Sequence, residues 1–312
     1  MKKRCNIVCL AATVLLATIA LGLSSCTKAE SKGPIVVASK IDTEGALLGT
    51  MIRLVLEDSG FAVNDKVQLG ATGVVRKALI AGEIDLYPEY TGNAAYFHDE
   101  ADSPLWKDAQ AGWQRAKELD AKKGLVWLAS APANNTWAIA IRKDLSDSAR
   151  LYTMSDLGRY IGSGGTFKLA GSEEFVTSAA ALPAFQDVYG FTLRQDQLLV
   201  LSGGNTAATE KAAADGTDGV NAAMAYGTDG QLSAFKLVVL EDDRGVQPVY
   251  EPAPVIRKEV LERYPEIEAT LGAVFARLDL VTLQTLNADI AVNGIGAETV
   301  AQSWLLSQGL LK

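Results

Sequence analysis

Cysteine is confined to the start of this 312-residue chain, at Cys5, Cys9 and Cys26, so everything downstream lacks a thiol. The body must therefore stand without disulfides even in an oxidising compartment. Cysteine nucleophiles and thiolate metal sites are excluded from it too. Histidine is scarcer still. The single His98 lies beside Asp99 and Glu100 in what reads as a solvated polar loop. Zinc centres and Ser-His-Asp arrangements need partners at fixed spacings that the sequence does not supply. Basic residues number 29 against 37 acidic ones. With no clustered basic face, nucleic acid is not an expected partner. Aromatic residues make up only 7% of the chain, so the places where they do fall carry information.

One run of hydrophobic residues is too short to span a bilayer. Lys2, Lys3 and Arg4 precede an almost uncharged stretch over 7–23, about 17 residues where a stable span needs roughly 20. A basic start, an apolar centre and small residues after it are the marks of a secretory signal. Leu23-Ser24-Ser25-Cys26 has the pattern of a lipobox, in which the thiol of Cys26 is acylated and becomes the new N-terminus. Two or three acyl chains suffice for stable anchoring. The expectation is a signal peptide over 1–25, a tether over 26–33 and an exported, periplasmic, membrane-anchored lipoprotein. Removing the leader takes away three positive charges and no acid, which leaves 26 basic and 37 acidic residues and a net charge of −11.

The remaining stretch, about 280 residues, is long enough for two lobes with their own cores. From Pro34 onward, short β-branched runs alternate with longer amphipathic ones, which favours α/β layering. Strands are expected at 35–38, 67–69, 84–86, 125–128, 136–141, 168–170, 198–201, 222–225 and 237–240. Asp42 or Thr43 can cap a helix in which Leu47, Leu48, Met51, Leu54 and Val55 recur at three-to-four spacing. After 240 the pattern reads as three helices with no further strand. That segment is expected to pack back on the first lobe, giving lobe 1 as 34–140 plus 241–312 and lobe 2 as 141–240, with two crossovers. Chains of this kind hold small ligands between the lobes, at strand ends and helix N-termini.

Four strand ends carry aromatic or amide residues: Ser39-Lys40, the segment from Tyr87 to Asn93, Asn134-Asn135-Thr136-Trp137, and Tyr226-Gly227-Thr228-Asp229. A trimethylammonium group offers no ordinary hydrogen bond, so proteins hold it against aromatic faces, each worth roughly 0.5–2 kcal/mol when desolvated. Tyr87, Tyr90, Trp137 and Tyr226 are the candidates. Lys40, between a strand and a helix start, is placed to meet an anionic group. Tyr96, Phe97, Trp106, Trp113 and Trp127 read as packing.

These segments, with Gly82-Glu83-Ile84-Asp85-Leu86-Tyr87-Pro88-Glu89-Tyr90-Thr91-Gly92 the most specific, resemble the glycine betaine, choline and osmoprotectant-binding subunits of ABC importers, and within them the YehZ-type branch. The likeness spans nearly the whole mature chain, through Gln247-Pro248-Val249-Tyr250 and the helix over 283–293. It implies a type II periplasmic-binding-protein fold, a quaternary-ammonium ligand in an aromatic box, and importer membrane subunits as partners of a monomeric protein. Carried over by position, Tyr90, Trp137 and Tyr226 resemble box members, with Phe175 nearby. Lys40, Asn93 and Asn135 match polar positions, and Thr228 and Asp229 complete the set. No cofactor or metal is implied.

Two departures stand out. Relatives carry an arginine shortly after the pair matching Glu174-Phe175, where it clamps the betaine carboxylate; here the chain reads Val176-Thr177-Ser178-Ala179. The loop Ser202-Gly203-Gly204-Asn205 likewise lacks a tyrosine that some relatives contribute. Both leave open a ligand without a carboxylate, such as choline, or a different small cation or polar metabolite. An exported hydrolase is the weakest reading, because no carboxylate pair has a defensible spacing.

Overall fold

A computed structural model describes residues 32–201 and 206–312. The expected signal peptide, Cys26 and the loop 202–205 lie outside the described residues. So does the tether, except that Lys32 and Gly33 already belong to the first strand.

Ten strands among the described residues form two five-stranded sheets. The first contains β1 (Lys32–Lys40), β2 (Phe61–Gly70), β3 (Leu86–Tyr90), β4 (Leu125–Trp127) and β10 (Pro252–Arg257), in the order β2-β1-β3-β10-β4. The second contains β5 (Trp137–Arg142), β6 (Leu169–Ser172), β7 (Leu198–Leu201), β8 (Ala222–Tyr226) and β9 (Leu237–Val239), in the order β7-β6-β8-β5-β9. β1 runs parallel to β3, and β6 runs parallel to β7 and β8. β5 and β10 run antiparallel to their neighbours. Each reversed strand is the one that enters its sheet from the other lobe.

Side-chain alternation along the strands builds a core on both faces of each sheet. In the first sheet Leu86 and Ile256 face one core while Tyr87 and Val255 face the other. In the second, Ile139, Ile141 and Met224 face a large-residue core, and Ala140, Ala170, Ala223 and Ala225 face the opposite one. Those alanines let the helix Thr206–Asp215 sit close, with its Ala212 and Ala213 in the same cluster.

The helix Thr43–Asp58 begins as its sequence requires. The Asp42 carboxylate accepts the Gly45 N–H at 2.7 Å, a cap worth about 1 kcal/mol. Its Leu47, Leu48, Met51 and Val55 are buried with the C-terminal helices that return to this lobe.

Two expectations are corrected. The segment after 240 does contain a strand: β10 lies in the middle of the first sheet. Its prolines, Pro252 and Pro254, disguised it, since proline cannot donate to a ladder. Here Pro254 stands opposite Pro88, and its carbonyl accepts from Leu128 on the other side, so no rung to β3 is lost. The second correction concerns the lobe boundary drawn between 140 and 141. It would cut β5, which pairs along its length with β8 and β9 and belongs wholly to the second sheet.

His98 is not simply solvated. Its Nε2 lies 2.8 Å from a carboxylate oxygen of the fully buried Asp120, which also receives Trp127 Nε1 at 2.7 Å and the Arg76 guanidinium.

Candidate ligand cleft

A cleft of about 1230 Å³ opens between the two sheets. Lys40 closes β1, Tyr90 closes β3 and Tyr226 closes β8, so the parallel strands deliver their carboxyl ends to it. Trp137 begins β5 and arrives at the same edge because β5 is reversed; it stands directly opposite Tyr226. Eight expected residues line this space: Lys40, Tyr90, Asn93, Asn135, Trp137, Tyr226, Thr228 and Asp229.

Tyr87 and Phe175 do not line it. Tyr87 is fully buried in the first lobe, and its hydroxyl donates to Glu89 Oε2 at 2.7 Å. It sits three residues before Tyr90 on a strand, which puts the two side chains on opposite faces. Phe175 is fully buried in the second-lobe core and meets Trp137 edge to face, with centroids 6.0 Å apart and planes at 84°. It backs the wall instead of forming it.

Trp137 and Tyr226 lie side by side, 6.4 Å between centroids and 25° between planes. Across the cleft Tyr90 donates its hydroxyl to Glu44 Oε1 at 2.5 Å, and the Lys40 ammonium sits 4.4 Å from its ring centroid. Tyr96 and Tyr250 also line the space. Burial and the neighbouring Tyr96 hydroxyl push the ionisation of Tyr250 upward. Neither tyrosine was expected in the site, although Tyr250 ends the Gln247-Pro248-Val249-Tyr250 stretch at the second crossover. Asn135 Oδ1 and Thr136 Oγ1 are buried at the cleft without a hydrogen-bond partner among the described residues.

Glu44 was missed as well. Burial raises its carboxyl above the usual range, against hydrogen bonds from Thr228, Tyr90 and Asn287 that favour its charge. Asn287 Nδ2 donates both to Glu44 Oε2 at 2.6 Å and to the Thr228 carbonyl at 2.9 Å. The helix Leu280–Ala291 thus joins the lobes: Leu283 and Leu286 enter the first-lobe core, and Gln284 Nε2 donates to the Gly227 carbonyl at 2.7 Å. No sequence pattern marked Asn287, one of several polar residues on this helix.

The crossovers are stitched to each other. Asn135 N donates to the Tyr250 carbonyl at 2.9 Å, and Tyr250 N donates to Asn134 Oδ1 at 2.8 Å.

At the second-lobe side Asp229 accepts from Tyr226 N at 2.8 Å. Desolvation raises its carboxyl above the normal range. Behind it Glu210 is fully buried, and desolvation with the Asp229 charge pushes its carboxyl up to about 10. A raised folded value means that the native chain keeps a proton which the unfolded chain releases above about pH 4.5. That stabilisation is complete below 4.5 and is lost as the pH climbs toward 10. Glu210→Gln, a mimic of the protonated acid, is expected to flatten this component and to raise Tm at pH 8 by about 2–4 °C. Thermal unfolding of both proteins across pH 5 to about 9 checks it.

Two five-stranded sheets, each with a reversed strand, and a ligand-sized cleft at their strand ends have the architecture of a solute-binding protein. The chain belongs to the family described as the substrate binding domain of the ABC-type glycine betaine transport system, whose model matches residues 33–307. It is 53% identical over 300 residues, 96% of both chains, to the "Glycine betaine-binding protein YehZ" of Escherichia coli K12. It is 31% identical over 281 residues, 88% of both, to the "Glycine-betaine-binding protein" of Pseudomonas aeruginosa. The solved structure of apo YehZ from Escherichia coli superposes with a TM-score of 0.87 at 55% identity, covering 89% of this chain and all of that one. The fold is the type II periplasmic-binding-protein fold, and the family consists of transport proteins, not enzymes.

Proposed function

We propose that this protein is a lipid-anchored, exported receptor that captures quaternary-ammonium osmoprotectants, glycine betaine or choline, and delivers them to the membrane subunits of an ABC importer. The observation that carries the reading is the gathering of Trp137, Tyr226, Tyr90, Tyr96 and Tyr250 around one cleft. Acids outnumber bases in its lining, with Asp42, Glu44, Asp102 and Asp229 against Lys40 and Lys107. Aromatic faces favour a cation that cannot donate a hydrogen bond, and surplus negative charge favours cations in general. The names of the two relatives point the same way. The lipobox at Cys26 supports anchoring through acyl chains to the bilayer, and one copy of the cleft suffices for a monomer.

A second reading has its own support. Val176, Thr177 and Ser178 stand where the resemblance implies a clamping arginine, and the unpartnered Asn135 Oδ1 accepts a donor that glycine betaine does not have. Choline, with a hydroxyl and no carboxylate, would satisfy both, and so would a different small cation or polar metabolite. Isothermal titration with glycine betaine, choline, carnitine and proline betaine separates the two readings. Heat from at least one quaternary amine, at micromolar to millimolar affinity, is the expected result. Silence from all four sinks the osmoprotectant reading.

A further inference from the structure

Of the four acids that line the cleft, Asp42 is exposed and caps a helix, Glu44 accepts from Tyr90 and Asn287, and Asp102 is exposed at the rim. Asp229 differs from all three. It stands half-buried in the wall beside Tyr226, whose backbone N–H it accepts at 2.8 Å, and among the described residues no lysine or arginine pairs with it. Behind it lies Glu210, a second carboxyl. Glu210 is fully buried and outside the lining, and neither of its oxygens makes a hydrogen bond of ordinary geometry to any other described residue. The hydroxyl next to it in sequence, on Thr209, is already given to the Thr206 and Met224 carbonyls. The helix Thr206–Asp215 packs on β5, β6, β8, the turn Thr217–Gly219 and the helix Gly230–Ala234, and these bring Glu210 no free cation. β6 and the helix Gly230–Ala234 hold no ionisable side chain, and β8 holds Tyr226 alone. Arg142 of β5 is paired with Asp144, Asp218 with Lys168, and Lys211 on the same helix with Asp215.

Two neighbouring carboxyls with neither water nor a cation between them cannot both carry charge, so they hold one proton between them. The more deeply buried of the two keeps it. Desolvation pushes the Asp229 carboxyl up, while the Tyr226 N–H, the Thr206 hydroxyl and Glu210 favour its charged form. We infer that Glu210 is kept as a neutral acid turned toward Asp229, so that Asp229 stays ionised as the countercharge a cationic ligand meets in the cleft. This rests on the quaternary-ammonium reading above. The rings select the methylated cation, and the carboxylate adds attraction for its charge. Glu210 is a positioning residue: it touches no ligand and acts through Asp229.

The test measures affinities of the mature chain for glycine betaine and choline by calorimetry between about pH 4 and 8. The wild type is expected to bind more weakly as acid protonates Asp229. Glu210→Met removes the donor at similar volume, and the weakening is expected to set in about one pH unit higher, with the affinity at the alkaline end unchanged. Glu210→Gln, whose amide still donates, is expected to bring the profile back to that of the wild type. In an Asp229→Asn background the same two substitutions are expected to leave the profile where it is. Asp42, Glu44 and Asp102 are common to all the variants, so their own titration cancels in the comparison. An equal loss at every pH in Glu210→Met marks a merely structural role and overturns the inference. A Gln variant that behaves like the Met variant overturns it as well. A measurement that needs no variant decides the matter if Glu210→Met does not fold: carbon-13 resonances of the carboxyls are expected to show Asp229 ionised and Glu210 protonated at about pH 7. The reverse assignment, or two ionised carboxyls, overturns the inference. If the wild type takes neither amine, the quaternary-ammonium reading falls and this inference with it. If it takes either one and the profiles coincide, only the inference falls.

Discussion

Trp137→Ala is expected to weaken capture of a quaternary amine by at least about tenfold, with the far-ultraviolet circular dichroism unchanged. The size follows from where the ring is held. Strand pairing fixes Trp137 opposite Tyr226, and Phe175 braces it from the core. The indole therefore presents a face whose orientation was settled during folding, and indole is the strongest of the aromatic partners for a cation. Tyr90 has less to give, because the Lys40 ammonium already lies against its ring. Trp137→Phe, which keeps an aromatic face, should recover part of the loss. An affinity for glycine betaine and choline that survives Trp137→Ala unaltered would remove this ring from the binding wall. Quenching or a shift of tryptophan emission on titration, absent in the variant, gives an independent reading of the same contact.

The largest stability effect is expected at Gly230. A Cβ built there would lie 2.3 Å from the backbone nitrogen of Ala288 and 2.4 Å from the carbonyl carbon of Asn287. Both are main-chain atoms of the helix Leu280–Ala291, so no side chain can turn aside to make room. Gly230→Ala must push that helix away from the second lobe, and overpacking of this kind costs about 1–3 kcal/mol or more. Tm should fall by about 5 °C or more. Because the same displacement pulls Asn287 from the Thr228 carbonyl, ligand affinity should fall with it. Thermal unfolding with and without ligand measures both effects. A variant with unchanged Tm would mean that helix and segment are not packed as described.

The alternation of strands and helices was legible because it is a local property. Hydrophobic periodicity and a cap at Asp42 or Thr43 placed the start of the helix Thr43–Asp58 within a residue, and the strand ends rich in tyrosine and tryptophan did lead to one cleft. What failed was nonlocal. Strand β10 hid behind two prolines, which are harmless only because of what lies opposite Pro254. The allegiance of β5 is decided by β8 and β9, whose sequences lie about 80 to 100 residues away. Tyr87 read as a cleft candidate beside Tyr90, but alternation along β3 turns it into the core. Glu89 was part of a recognised segment, but its ion pair needed Lys40 to arrive from β1, 49 positions earlier. Asn287 was not distinguished in the sequence, since it is one of several polar residues on this helix, with Gln284 among them.

The bonds between Asn134-Asn135 and Tyr250 bear on how the protein yields under load. Two separate cords would let one half slide, tilt and turn against the other in several directions. Tied together by two hydrogen bonds, they form one paired connection instead of two independent ones, and the helix Leu280–Ala291 adds a further link between the halves. Severing either cord between its knot and its sheet would leave the remaining one carrying the same path, so a single backbone cut should not set the halves adrift.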